Sequence, residues 1–191
     1  MKKYLTILGG GAALGFAALL AVGLSSGDAN SQDKMKMMFG DKGSVAFSKD
    51  LWAALSKARL AGKNAINSRP YEGQAPHGAI LQTIDTTVSV KGRTGRVIVK
   101  NNFGPAGITT NDVWTNPKKH LKAVTVMFKR ESGYDKDNKD WFWAKFTPNG
   151  GLAKNPKGMM LAGRVAKGMD KGCIACHSGA GGGDYLFIND K

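Results

Sequence analysis

The run HGAILQTIDTTVSVKGRTGRVIVKNNF, residues 77–103, decides the fold. Its hydrophobic period is two rather than 3.6, with Ile80, Ile84, Val88 and Val90 among the apolar positions of its first half, so it predicts β-structure. His77 to Val90 reads as one strand, Gly92 to Gly95 (GRTG) as a turn, and Arg96 to Phe103 (RVIVKNNF) as the next strand. Strands that follow one another through so short a connection pair antiparallel.

Downstream, Pro105, Gly107, Asn116 and Pro117 break the chain into a loop over 104–119. A third strand is predicted from Leu121 to Arg130 (LKAVTVMFKR), a polar turn from Tyr134 to Lys139, and a fourth strand from Asp140 to Phe146 (DWFWAKF). The tail from Lys154 is Gly-rich and basic, with a helical piece near Leu161 to Met169. Upstream, Ser48 caps a helix running to about Ala61, with Leu51, Trp52, Leu55 and Ala58 on one apolar face and Gly62 as its stop. Before it, a Met-rich patch (Met35, Met37, Met38) reads as a short helix covering the core with Met35, Met38 and Phe39. The predicted class is therefore α+β, a mainly antiparallel β-sheet with a few helices packed on it.

The chain has 191 residues, 28 Lys plus Arg against 14 Asp plus Glu, 26 Gly, three His and two Cys. Two cysteines exclude both a disulfide scaffold and a four-cysteine zinc site. Residues 1–29 stand apart: Lys2 and Lys3 precede an uncharged run from Leu5 to Leu24, closed by Ser25, Ser26, Gly27 and Asp28. A charged start, an apolar run and small residues are an export signal, yet 20 residues also span a bilayer, so 1–29 is an export signal or an N-terminal membrane anchor. Either way residues 30–191 form the exported domain, placed in the periplasm or on the outer face of the cytoplasmic membrane.

Cys173-Ile174-Ala175-Cys176-His177 carries the chemistry. CxxCH is the attachment motif of c-type haem: the two thiols add to the haem vinyl groups and the adjacent histidine reaches the iron as proximal ligand. One covalent haem c is expected, on Cys173, Cys176 and His177, with His177 as the metal ligand. A thioredoxin-like use of CxxC needs further strands downstream, and only residues 178–191 follow. No methionine follows the motif either, so a sixth ligand would come from upstream. Met159, Met160, Met169, His77, His120 and the lysines are candidates, and each is more simply core or surface. A five-coordinate iron is expected, which suits binding of a small molecule.

The segments APHGA (75–79), VIVKNNFGP (97–105), AVTVMFKRESGYDKDNKDWFWAKFTPNG (123–150) and GCIACH (172–177) resemble the cytochrome P-460 family, which includes the cytochromes c′-beta. The resemblance implies a mainly antiparallel β fold, often homodimeric, and a c-type haem with an open distal side. It also implies small nitrogenous or gaseous ligands: hydroxylamine oxidation in members with a lysine–porphyrin cross-link and a distal carboxylate, nitric oxide or carbon monoxide binding in those with an apolar pocket. Lys100, Lys118, Lys119 and Lys122 are the cross-link candidates, and Phe103 and Phe128 could cap an apolar distal side. Ala144 falls where the distal acid is expected, on one face with Phe142 and Phe146; a methyl relays no proton, which implies slow hydroxylamine oxidation.

Residues 30–191 keep 26 of the basic and 13 of the acidic residues. That excess suits an acidic redox partner or anionic lipid, with residues 5–24 as a further membrane contact, and does not suggest nucleic acid for an exported haem protein. The alternatives in function are an electron-transfer cytochrome c and a haem subunit of a membrane-bound redox complex.

Overall fold

The computed structural model describes residues 39–187. Residues 1–29, expected as an export signal or anchor, and the Met35, Met37, Met38 patch lie outside the described residues. Helix α1 (Lys42–Lys57) is followed by strands β1 (Tyr71–Glu72), β2 (Ile80–Val90) and β3 (Arg93–Phe103), and then by the short helices α2 (Thr110–Thr115) and α3 (Pro117–His120). Strands β4 (Leu121–Lys129), β5 (Trp141–Phe146) and β6 (Ala162–Gly163) lead to α4 (Cys173–His177). The six strands form one sheet in the order β1-β2-β3-β4-β5-β6, every neighbouring pair antiparallel. The α+β class is as predicted.

The β2–β3 hairpin turns on two residues, Lys91 (φ 50) and Gly92 (φ 78). Two consecutive left-handed residues are what a tight hairpin needs to match strand twist. The turn is thus tighter than GRTG suggested, and Arg93 to Gly95 belong to the strand. His77 lies in the turn before β2, not in the strand.

The sheet buries both faces. On one, Val97, Val99, Val124, Val126, Phe128, Phe142, Ala144 and Phe146 pack under Leu51 and Leu55 of α1. Full burial of each of those leucines is worth about 1.5–3 kcal/mol. On the other, Ile98, Met127, Trp141 and Trp143 pack under the C-terminal tail through Val165, Ala166 and Ile174.

Three local expectations are corrected. The cap of α1 is Asp41, whose carboxylate accepts from the Ser44 amide at 2.9 Å; Ser48 sits inside the helix, fully buried, donating to the Ser44 carbonyl at 2.8 Å. The helix ends at Lys57, before Arg59 at φ 59, and not near Ala61. Residues 161–169 are not helical: Leu161 accepts from the Lys145 amide at 3.0 Å, Ala162–Gly163 add the last strand, and Gly163 at φ 102 breaks any helix. The edge of β5 needed a partner, and that outweighed helix propensity.

Candidate haem site

Helix α4 is a little over one turn, and it begins because Gly172 takes φ 131. A Cβ at Gly172 would lie 2.3 Å from the Cβ of Ala166, so only glycine lets the chain enter the helix pressed against the tail. Side chains three and four apart share a helix face. Cys173, Cys176 and His177 therefore point to one side, and all three line the same cavity of 1280 Å³. Ile174, on the other side, anchors the helix in the tail–sheet core.

His177 is 8% exposed, with its ring centre 4.9 Å from that of Trp143. Its Nδ1 lies 2.7 Å from the Tyr185 carbonyl oxygen. A carbonyl can only accept, so Nδ1 carries the proton and Nε2 keeps its lone pair. Burial lowers the His177 pKa, the Tyr185 carbonyl opposes this, and Lys100 lowers it further. Tyr185 is held in turn by Asp184, whose carboxylate accepts from Lys129 at 2.8 Å and from the Trp141 indole N–H at 3.2 Å.

The floor of the cavity is the sheet, and its register sets which residues face it. One cross-strand row is Thr83, Lys100, Thr125, Lys145; the next is Asp85, Ile98, Met127, Trp143. All eight line the cavity. The row between them, Ile84, Val99, Val126, Ala144, points to the opposite face by strand alternation. Val126 and Ala144 border the cavity, but their side chains belong to the α1-side core, where Ala144 is 5% exposed. Ala144 thus does not stand at the distal position inferred for it. Phe128 is in that same core, and Phe103 packs with Ile80 and Val113 in a separate cluster. Neither lines the cavity.

Of the four lysine candidates only Lys100 lines the cavity, with its pKa lowered by burial. Lys118, Lys119 and Lys122 are exposed and lie elsewhere. Met159, Met160, Met169 and His120 are likewise absent from the lining, whereas His77 is part of it. The sequence reading singled out neither Lys145 nor Trp143 for the site. Their signal was available in the alternation of WFWAKF, but assigning a face to it requires knowing where α1 packs.

A sequence model of the cytochrome P-460 family matches residues 60–188. The chain belongs to the cytochrome P-460 family. No curated protein and no solved structure matches it. Membership makes this a haem-binding cytochrome, and the residues present fit a haem. The cavity exceeds the roughly 300–1,000 Å³ of ordinary small-molecule pockets. Two buried polar atoms without a partner among the described residues, Ser68 Oγ and Trp143 Nε1, belong to lining residues. Arg69, Lys100, Lys145 and Lys171 also line it and suit the carboxylates of a porphyrin. A haem would be held by the face of α4 that carries both thiols and the free Nε2 of His177.

Proposed function

We propose that this P-460 family member is an exported mono-haem c-type cytochrome that receives small nitrogen compounds, nitric oxide or hydroxylamine, on the side of the haem opposite His177. One observation carries it: Cys173, Cys176 and His177 share a cavity wall, with His177 Nδ1 tied to the Tyr185 carbonyl so that Nε2 is free for a metal. When bound, a haem would supply a redox-active iron able to take a diatomic or hydroxylamine-sized ligand. The chain would supply the two thiols, the His177 imidazole and an apolar wall of Ile98, Met127 and Trp143, the Trp143 ring lying 4.9 Å from that of His177. That Lys100 alone of the four lysine candidates lines the cavity supports it as the residue for a porphyrin cross-link. The charged, then apolar, start of the chain supports export to the periplasm or the outer membrane face. There the basic excess would suit an acidic redox partner, and family resemblance supports a homodimer.

Acid–acetone extraction of the full chain, matured with a haem-attachment system, tests the attachment. The haem is expected to stay with the protein, and titration with nitric oxide to change the iron spectrum. Haem recovered in the organic phase would overturn the proposal. An electron-carrier function is favoured by one observation, the presence of His77 in the same cavity as His177.

A further inference from the structure

The cavity holds a second histidine, His77. His77 comes from the turn between β1 and β2, and its ring centre is 6.0 Å from that of His177, with the planes at 85°. Its Nδ1 lies 3.1 Å from Asn102 Oδ1. The Asn102 side chain is 1% exposed, and its Nδ2 donates to the carbonyls of Lys100 (3.0 Å) and Ala123 (3.2 Å) and to Thr125 Oγ1 (3.2 Å). Two backbone carbonyls can only accept, so the amide nitrogen must face them and the amide oxygen must face His77. That oxygen requires a proton on Nδ1. His77 is thereby held with a bare Nε2, as His177 is by Tyr185.

A histidine in this tautomer cannot donate a hydrogen bond from Nε2 to a bound molecule; it can offer a lone pair. Metal-ligating histidines are oriented in this way, by an acceptor on the other ring nitrogen. The spacing agrees. With nitrogen–metal bonds of about 2.0 Å and ring centres about 1.1 Å behind the ligating nitrogens, two axial imidazoles hold their centroids roughly 6 Å apart. Rotation about each bond is free, so perpendicular rings are acceptable.

We propose that His77 Nε2 is the second axial ligand of the haem iron in the resting protein, oriented by Asn102 Oδ1, and that a small molecule binds only when His77 withdraws. The inference rests on haem attachment at Cys173, Cys176 and His177. It replaces the expected open iron with one closed by a ligand on a turn. The turn is anchored at its base, Gly73 N donating to the Ala79 carbonyl at 2.8 Å and Ala79 N to the Phe103 carbonyl at 3.0 Å, so withdrawal is a rotation of the His77 side chain away from Asn102 and not a movement of the turn. The competing role for the same residue, a general base acting on a molecule already on the iron, needs that ring to stand further off.

Absorption and electron paramagnetic resonance spectra of the ferric full-length protein, with covalent attachment verified by extraction, decide it. The wild type is expected to be low-spin and six-coordinate. His77→Ala should keep its covalent haem, become high-spin, and return to low-spin when imidazole is added. Carbon monoxide should bind the reduced variant at least about tenfold more tightly than wild type, since a site populated only in part loses apparent affinity by that fraction. A high-spin wild-type protein with covalent haem would overturn the proposal, as would a low-spin His77→Ala spectrum without imidazole. Loss of the haem on extraction would instead overturn the attachment itself.

Discussion

Asn102 shows how much one side chain on the cavity side of β3 settles. It satisfies two backbone carbonyls, Thr125 and His77 at once. Asn102→Leu removes those partners at nearly constant volume, and leaving buried polar groups unmatched is expected to cost about 1–3 kcal/mol in a denaturant titration. Ala144 is the opposite case. Its match to a distal acid implies slow hydroxylamine oxidation for want of a proton relay. Ala144 instead packs with Phe142, Phe146 and α1, so Ala144→Glu buries an unpaired carboxylate. It is expected to cost about 3–5 kcal/mol and to leave hydroxylamine turnover no faster, checked by thermal melting and a steady-state assay. The sequence showed correctly that Phe142, Ala144 and Phe146 share a face. It did not show which face, because β5 is buried on both faces and its apolar residues read alike either way, and a slip of one residue exchanges every side chain.

At the level of elements, two short signals control the ends of the fold. Asp41 caps α1, and its pKa is below the ordinary 3.8: burial pushes it up, but the hydrogen bonds from Ser44 outweigh that. A carboxylate depressed in the folded state stabilises fully above its unfolded pKa and loses that contribution as pH falls below 3.8 toward the folded value. Asp41→Ala should cost about 1 kcal/mol at neutral pH. Asp41→Asn should keep most of the cap and remove this part of the acid sensitivity, read from melting temperatures between pH 7 and pH 3. Gly172 does the same for α4. Gly172→Ala meets the Cβ of Ala166 and a φ of 131, so it should lower the yield of haem-loaded protein, measured as the ratio of haem to protein absorbance. The strands were legible from their period of two. Asp41 and Ser48 both precede the same apolar run and both residue types cap helices well, so the local sequence favours neither. The tail was misread because its apolar residues answer to the edge of β5 and to the sheet face, neither of which is local.

Across the whole molecule, a meander of six strands carries the motif helix at the far end of the chain, and the tail is tied to the sheet by charge. Asp184 accepts from Lys129, Trp141 and, at 3.4 Å, Arg96, while Lys167 reaches Asp135 and Asp137. Partly exposed ion pairs are worth little singly, but Asp184 also sets the position of Tyr185, whose carbonyl orients His177. Asp184→Ala is expected to cost about 1–2 kcal/mol and to broaden the iron resonance signal of the haem-loaded protein by freeing that imidazole. CxxCH, the period-two runs and the basic excess are local or compositional properties, and the sequence alone was enough to establish the α+β sheet and point to a haem. It could not say that Lys100, Lys145, Trp143 and His77 line one cavity with His177 while the side chains of Ala144, Phe103 and Phe128 turn away. Those assignments depend on register across β2 to β5 and on which sheet face the tail covers, and both are set by contacts between residues far apart in the chain.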